Sequence, residues 1–150
     1  MRPGGRNISA RVWAASLLFV ASAAGADPTP ATDAERALEA QVADWNRGDL
    51  EAALQAYCPD SAISWVNASG LSHGFEPFAR SMRESFAGRS EAMGTMVAER
   101  LETRDLGPGG TLLVIRWSID RDGTRLMGGI SSQLWAPCQG RTRIVFEHAS

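Results

Sequence analysis

Between Met96 and His148 four strand-like segments follow one another with connections too short for any crossover. They are Met96–Glu102, Thr111–Ile119, Leu126–Trp135 and Arg143–His148, separated by Leu106–Gly110, Asp122–Gly123 and Pro137–Gly140. A parallel neighbour needs a connection of a dozen or more residues, so these segments must pair as an antiparallel meander. Thr111–Ile119 (TLLVIRWSI) is the richest in β-branched and aromatic residues, the types that fit a pleated, half-buried surface. Asp122-Gly123 has the chemistry of a two-residue hairpin turn. Gly128-Gly129 predicts a weakening or bulge in the third segment. Such a sheet has an apolar face that something must cover.

The cover lies upstream. Thr32-x-x-Glu35 is a capping box, in which each side chain satisfies a free amide at a helix start. Ala34, Leu38, Val42 and Trp45 then share one helical face. Asn46-Arg47-Gly48 stops that helix, and Asp49 caps a second one carrying Leu50, Ala53, Leu54 and Tyr57, ended by Pro59. Ala62–Val66 predicts a short strand, Asn67–Gly70 a turn and Leu71–Gly74 a return strand. A third helix carries Phe78, Met82 and Phe86, with Gly88 at its C-terminal cap. The expected fold is α+β: three helices packed on one face of one curved, mostly antiparallel sheet.

The N-terminus has a different character. Arg2, Arg6 and Arg11 precede a thirteen-residue apolar or small run, Val12 to Ala24, followed by Ala24-Gly25-Ala26. A basic start, a short apolar stretch and a small-residue exit together predict a cleaved secretory signal. The run is short against the roughly 20 residues of a membrane span. The expected division is a signal peptide at 1–26, a Pro-containing linker at 27–31 and one domain at 32–150, delivered to the periplasm or secreted, with no membrane association after cleavage. Cleavage removes three of the 15 arginines and leaves 12 against 17 acidic residues, a net charge of −5. An acidic domain argues against a nucleic-acid partner. The chain has no lysine, which excludes Schiff-base chemistry on the protein. Export permits Cys58 and Cys138 to pair, although sequence alone cannot set their separation.

Several strings, in this order, resemble the SnoaL-like domains of the nuclear transport factor 2-like superfamily, and in particular its bacterial branch of domains of unknown function. They are WNRGDLEAALQAYCPD (Trp45 to Asp60), VNASGLSHGFEPF (Val66 to Phe78), MGTMVAERLETRDLGPGG (Met93 to Gly110), VIRWSIDRDG (Val114 to Gly123) and RIVFEHAS (Arg143 to Ser150). The resemblance spans roughly residues 31 to 150. It departs from the family pattern at Thr142, where a tryptophan is usual, and at Glu147, where an aspartate is usual. It implies a cone-shaped fold enclosing an apolar cavity, which relatives use for isomerisation, dehydration, polyketide cyclisation or ligand binding. Fold does not choose among these.

The candidate site residues follow from where a cone would open. Trp45, Tyr57, Trp65, His73, Met82, Met96, Trp117 and His148 are the expected pocket lining, although regularly spaced aromatics serve a core equally well. Tyr57 adds a hydroxyl that can orient a ligand. On a regular strand neighbours point to opposite faces, so His148 would share a face with Phe146 and Ile144, and Glu147 with Val145 and Arg143. His148 is the candidate general base, or else a strand-end residue tying the sheet together. His73 is expected near the cavity mouth or in an exposed turn. No His or Cys spacing supports a metal site, no cofactor motif is present, and no nucleophile elbow appears. Arg116 reads as a surface charge paired across strands.

These features predict an exported small-molecule-binding domain with an apolar pocket and a small apolar ligand, forming a homodimer through the outer sheet face. One alternative is a cofactor-free isomerase, dehydratase or cyclase using His148, with Tyr57 or Glu147 assisting. Another is an accessory domain for protein interaction.

Overall fold

The computed structural model describes residues 32–86 and 93–150. The expected signal, the linker and the Gly88 cap lie outside the described residues. Helix α1 (Asp33–Asn46) starts at the expected capping box. The Thr32 hydroxyl accepts from the Glu35 amide at 3.1 Å, and the Glu35 carboxylate accepts from the Thr32 amide at 2.7 Å. Asp49 caps α2 by accepting from the Ala52 amide at 2.9 Å. Helix α2 (Leu50–Leu54) is shorter than its periodicity predicts. Tyr57 leaves the helix and bridges Ile144 in parallel. The Cys58 amide donates to the Ile144 carbonyl at 2.9 Å and the Ile144 amide to the Ala56 carbonyl at 2.8 Å. Pairing with the sheet thus overrides local helix propensity here.

Strands β1 (Ser64–Asn67) and β2 (Gly70–His73) form a hairpin, and α3 (Phe75–Phe86) follows. Strands β3 (Thr95–Asp105), β4 (Thr111–Arg121), β5 (Thr124–Cys138) and β6 (Arg141–Ala149) form the meander. The sheet order is β2-β1-β6-β5-β4-β3. Every neighbouring pair is antiparallel except β1 with β6, where Trp65 lies opposite Glu147. A parallel closure is possible there because the whole meander lies between the two strands.

Curvature comes from register shifts at Arg100/Glu102, Ile119/Asp120 and Leu134/Trp135, each of which bends the sheet. Gly128 and Gly129 are not a bulge and pair regularly with Ser118 and Trp117. Their smallness serves close approach instead, since a Cβ on Gly129 would lie 2.1 Å from the Ser150 carbonyl oxygen. Pro137 and Cys138 belong to β5, and the turn is confined to Gln139 and Gly140, at φ 49° and 74°. Asp122 and Gly123, at φ 51° and 75°, make the expected hairpin turn, whose two central residues need positive φ.

The core fills the space between sheet and helices in two clusters. Ala34 and Leu38 of α1 pack on Leu113, Ile115, Trp135 and Ile144. Trp45 and Ala53 pack on Met93 and Ile119. Trp117 touches both clusters. Among the described residues no helix is long and apolar enough to cross a membrane.

Candidate functional site

The chemistry of the inner sheet face is decided by one extra residue in β6. Trp135 lies opposite Ile144 and Leu134 opposite Phe146, so Val145 has no partner of its own. This bulge shifts the strand's alternation by one. Ile144 and Glu147, three apart, are both buried, while Phe146 and His148 are exposed. A regular strand would have put His148 with Ile144 and turned Glu147 away. The expectation that His148 reaches the cone is corrected here: it sits on the outer face, at the register of Ser132 and Val66.

Glu147 is 9 % exposed. Its Oε2 accepts from the Tyr57 hydroxyl at 2.7 Å, and its Oε1 accepts from the Gln133 amide at 3.0 Å. Gln133 in turn accepts from the Trp135 indole N–H at 3.1 Å. The outcome is a chain of four side chains, two from β5, one from β6 and Tyr57 from the segment after α2. Burial pushes the Tyr57 phenol well above its ordinary value, reinforced by the Glu147 negative charge and the hydrogen bond to it, with the Gln41 side chain opposing. Tyr57 therefore stays protonated at neutral pH and acts as a hydrogen-bond donor. Neither of the donors to Glu147 is a cation, and it forms no ion pair with any described residue.

An aromatic wall adjoins this carboxylate. The Phe78 ring of α3 lies 4.5 Å from that of Tyr57 and 5.1 Å from that of Trp65, centroid to centroid. Trp117 donates its indole N–H to the Ser131 hydroxyl at 3.0 Å on the same inner face. Tyr57 and Trp65 both stand against Phe78, Trp117 packs on both core clusters, and Met82 and Met96 pack on the second of them. Trp45 is core: it is 3 % exposed, packs edge-on against Phe86 and donates to the carbonyls of Met93 and Gly94. His73 is exposed on the edge strand β2, its Nδ1 2.9 Å from the Ser64 hydroxyl. Arg116 pairs with Glu99 across β3 and β4. Among the described residues no three His, Cys, Asp or Glu side chains are grouped to hold a metal ion.

Ser131 and Gln133 escaped the sequence reading. Their signal was polar residues spaced by two on the inward side of an apolar strand, in phase with Trp135. Also missed was a cleft outside the cone, of about 460 Å³, between α1, α2 and the start of β6. Gln41 lines it and also hydrogen-bonds Tyr57. Cys58 and Cys138 form a disulfide that fastens the end of β5 to the segment after α2.

The architecture is that of a nuclear transport factor 2-like protein: helices on one side of a curved, mostly antiparallel sheet. A nuclear transport factor 2-like protein of unknown function from Shewanella oneidensis MR-1 superimposes with a TM-score of 0.73 at 23 % identity, over 79 % of this chain and 96 % of that one. Another such protein of unknown function, from Pseudomonas putida KT2440, gives 0.54 at 14 % identity, over 77 % and 81 %. A de novo designed protein with a curved β-sheet gives 0.52 at 15 % identity, over 77 % and 97 %. No family model matches the sequence, and no curated protein matches it. Likeness to a designed scaffold means that the fold can stand without any natural site, so function must be argued from side chains.

Proposed function

We propose that this chain is an exported, SnoaL-like small-molecule-binding domain, and that it takes a small apolar molecule against the aromatic wall with Glu147 as its polar anchor. The observation that carries this reading is the Glu147 carboxylate, nine-tenths buried without a cation. A buried carboxylate is costly even when hydrogen-bonded, and nothing in the packing of helices on sheet requires one at this position. Tyr57 and Gln133 hold it in one orientation and leave each oxygen a further lone pair for a ligand donor. Aromatic surroundings with a few fixed polar groups suit a small-molecule site.

The Tyr57–Glu147 contact also favours a second reading, a cofactor-free isomerase, dehydratase or cyclase. In it Glu147 takes the proton, and the single O–H of Tyr57, released as the carboxylate is neutralised, turns to donate to the developing charge. The outer sheet face, where Val97, Ile130 and Phe146 are exposed, supports homodimerisation there, testable by light scattering. Release of the first 26 residues on export is testable by N-terminal sequencing of the secreted protein.

The test of the binding reading is a thermal-shift screen against apolar phenols, anilines and secondary amides, which carry the O–H or N–H a carboxylate needs, near pH 7. A ligand at a hundred times its Kd adds about 2.7 kcal/mol of stability. The expected outcome is a compound that raises the melting temperature of wild type and His148→Ala but not of an equally folded Glu147→Gln variant. A compound that works equally on Glu147→Gln would refute the anchor. Turnover that is lost in Glu147→Gln and kept in His148→Ala would select the catalytic reading.

A further inference from the structure

We propose that the cleft between α1, α2 and the start of β6 is a second site, separate from the inner sheet face, and that it binds the carboxylate of a small apolar acid. Its volume of about 460 Å³ lies within the range of small-molecule sites. Four alanines line it, Ala37 and Ala40 from α1, Ala52 from α2 and Ala56 from the segment after α2. They give it a methyl-covered floor suited to a hydrocarbon or aromatic body.

The charges in the cleft do not cancel. Asp33 is paired with Arg36, and Asp44 with Arg47. Arg141 and Arg143 line the same cleft, and neither forms an ion pair with any described residue. Arg143 is only 7 % exposed. Its Nε donates to the Gln55 carbonyl at 3.2 Å and its Nη1 to the Cys138 carbonyl at 3.4 Å. Both acceptors are neutral, and the guanidinium carries further N–H donors. A buried cation with only neutral partners is costly, and an anion arriving through the cleft would remove that cost.

Geometry favours a carboxylate over a phosphate. Arg141 and Arg143 are two apart on one strand and so stand on the same side of it. Guanidinium groups along one wall match the two coplanar oxygens of a carboxylate, whereas a phosphate presents three oxygens that need donors converging from several sides. The Cys58–Cys138 disulfide fixes the strand end whose Cys138 carbonyl orients Arg143, so the cation is held in place before a ligand arrives.

The test is calorimetric titration of the purified protein at pH 7 and low ionic strength with benzoate, with benzyl alcohol, and with inorganic phosphate. Benzoate is expected to bind saturably at one site and at least tenfold more tightly than the other two. Arg141→Gln is expected to weaken benzoate about tenfold, and Ala40→Trp to abolish binding by filling the cleft. Both positions are exposed, so these variants keep the fold. Glu147→Gln is expected to leave benzoate binding unchanged, which separates this site from the one on the inner face. The proposal is overturned if benzoate does not bind, if benzyl alcohol or phosphate binds as tightly, or if the two cleft variants bind benzoate like wild type.

Discussion

Breaking the Cys58–Cys138 disulfide tests how this domain is held together. The bond joins residues separated by 80 positions, and so closes a loop holding two-thirds of the domain. Closing a loop of that length removes conformational entropy from the unfolded chain worth about 4.5 kcal/mol at 25 °C. Native contacts at the junction do not depend on the sulfurs. Cys58 and Ala56 remain hydrogen-bonded to Ile144 through their backbones, so reduction should leave the native structure intact and act on the unfolded state. With about 4 °C of melting temperature per kcal/mol for a domain of this size, the expected fall is about 15–20 °C. In urea the midpoint should drop by about 2 M. The assay compares oxidised wild type, reduced wild type and the Cys58→Ser/Cys138→Ser double variant, each by circular dichroism in urea. The double variant should fall slightly further, because it places hydroxyls at positions only 7 % and 9 % exposed. A loss under about 1 kcal/mol would refute the loop-closure argument. It would mean that the segment after α2 stays close to β5 in the unfolded chain or that the native bond is strained.

Tyr57→Phe should cost about 1–3 kcal/mol in urea unfolding, because it leaves Oε2 of a buried carboxylate without its donor; a neutral result would show that water replaces the hydroxyl. Glu35 makes an acid-limb prediction: the Thr32 backbone hydrogen bond, then the Thr103 hydroxyl and the Arg100 charge hold its carboxyl below the ordinary 4.5. A lowered pKa stabilises the fold above about pH 4.5, and that contribution is lost as pH falls through the lowered value. Glu35→Gln should therefore be less stable than wild type at pH 7 and lose less stability on acidification, as measured by urea midpoints from pH 7 to pH 3. Gly110→Ala should cost at least about 2 kcal/mol, since the residue sits at φ 118° and its Cβ would meet the Trp135 carbonyl oxygen at 2.1 Å; thermal melting checks this.

Much of the fold was legible because it follows from local rules. The Thr32–Glu35 capping box, the Asp49 cap, the Asp122-Gly123 turn and the short links between β3, β4, β5 and β6 each act within a few residues of chain. Chain connectivity then left the meander little choice. The helix ending at Leu54 rather than Tyr57 was not legible, because the competing partner, Ile144, is distant in sequence and wins only once the sheet exists.

The site divides along the same line. Residue types and spacing were enough to single out Glu147 and His148 on the last strand, to place the Tyr57 hydroxyl at the end of the second helix, and to show two cysteines available to pair. Tertiary structure alone decided which face each residue takes. The extra residue at Val145 exists only in the pairing of β6 with β5, and it moves Glu147 inward and His148 outward. Side-chain alternation has a period of two, so one unpaired residue reverses every assignment beyond it. The cleft holding Arg141 and Arg143 was hidden for a related reason: its walls come from α1, α2 and β6, and no local pattern records how three such distant segments meet.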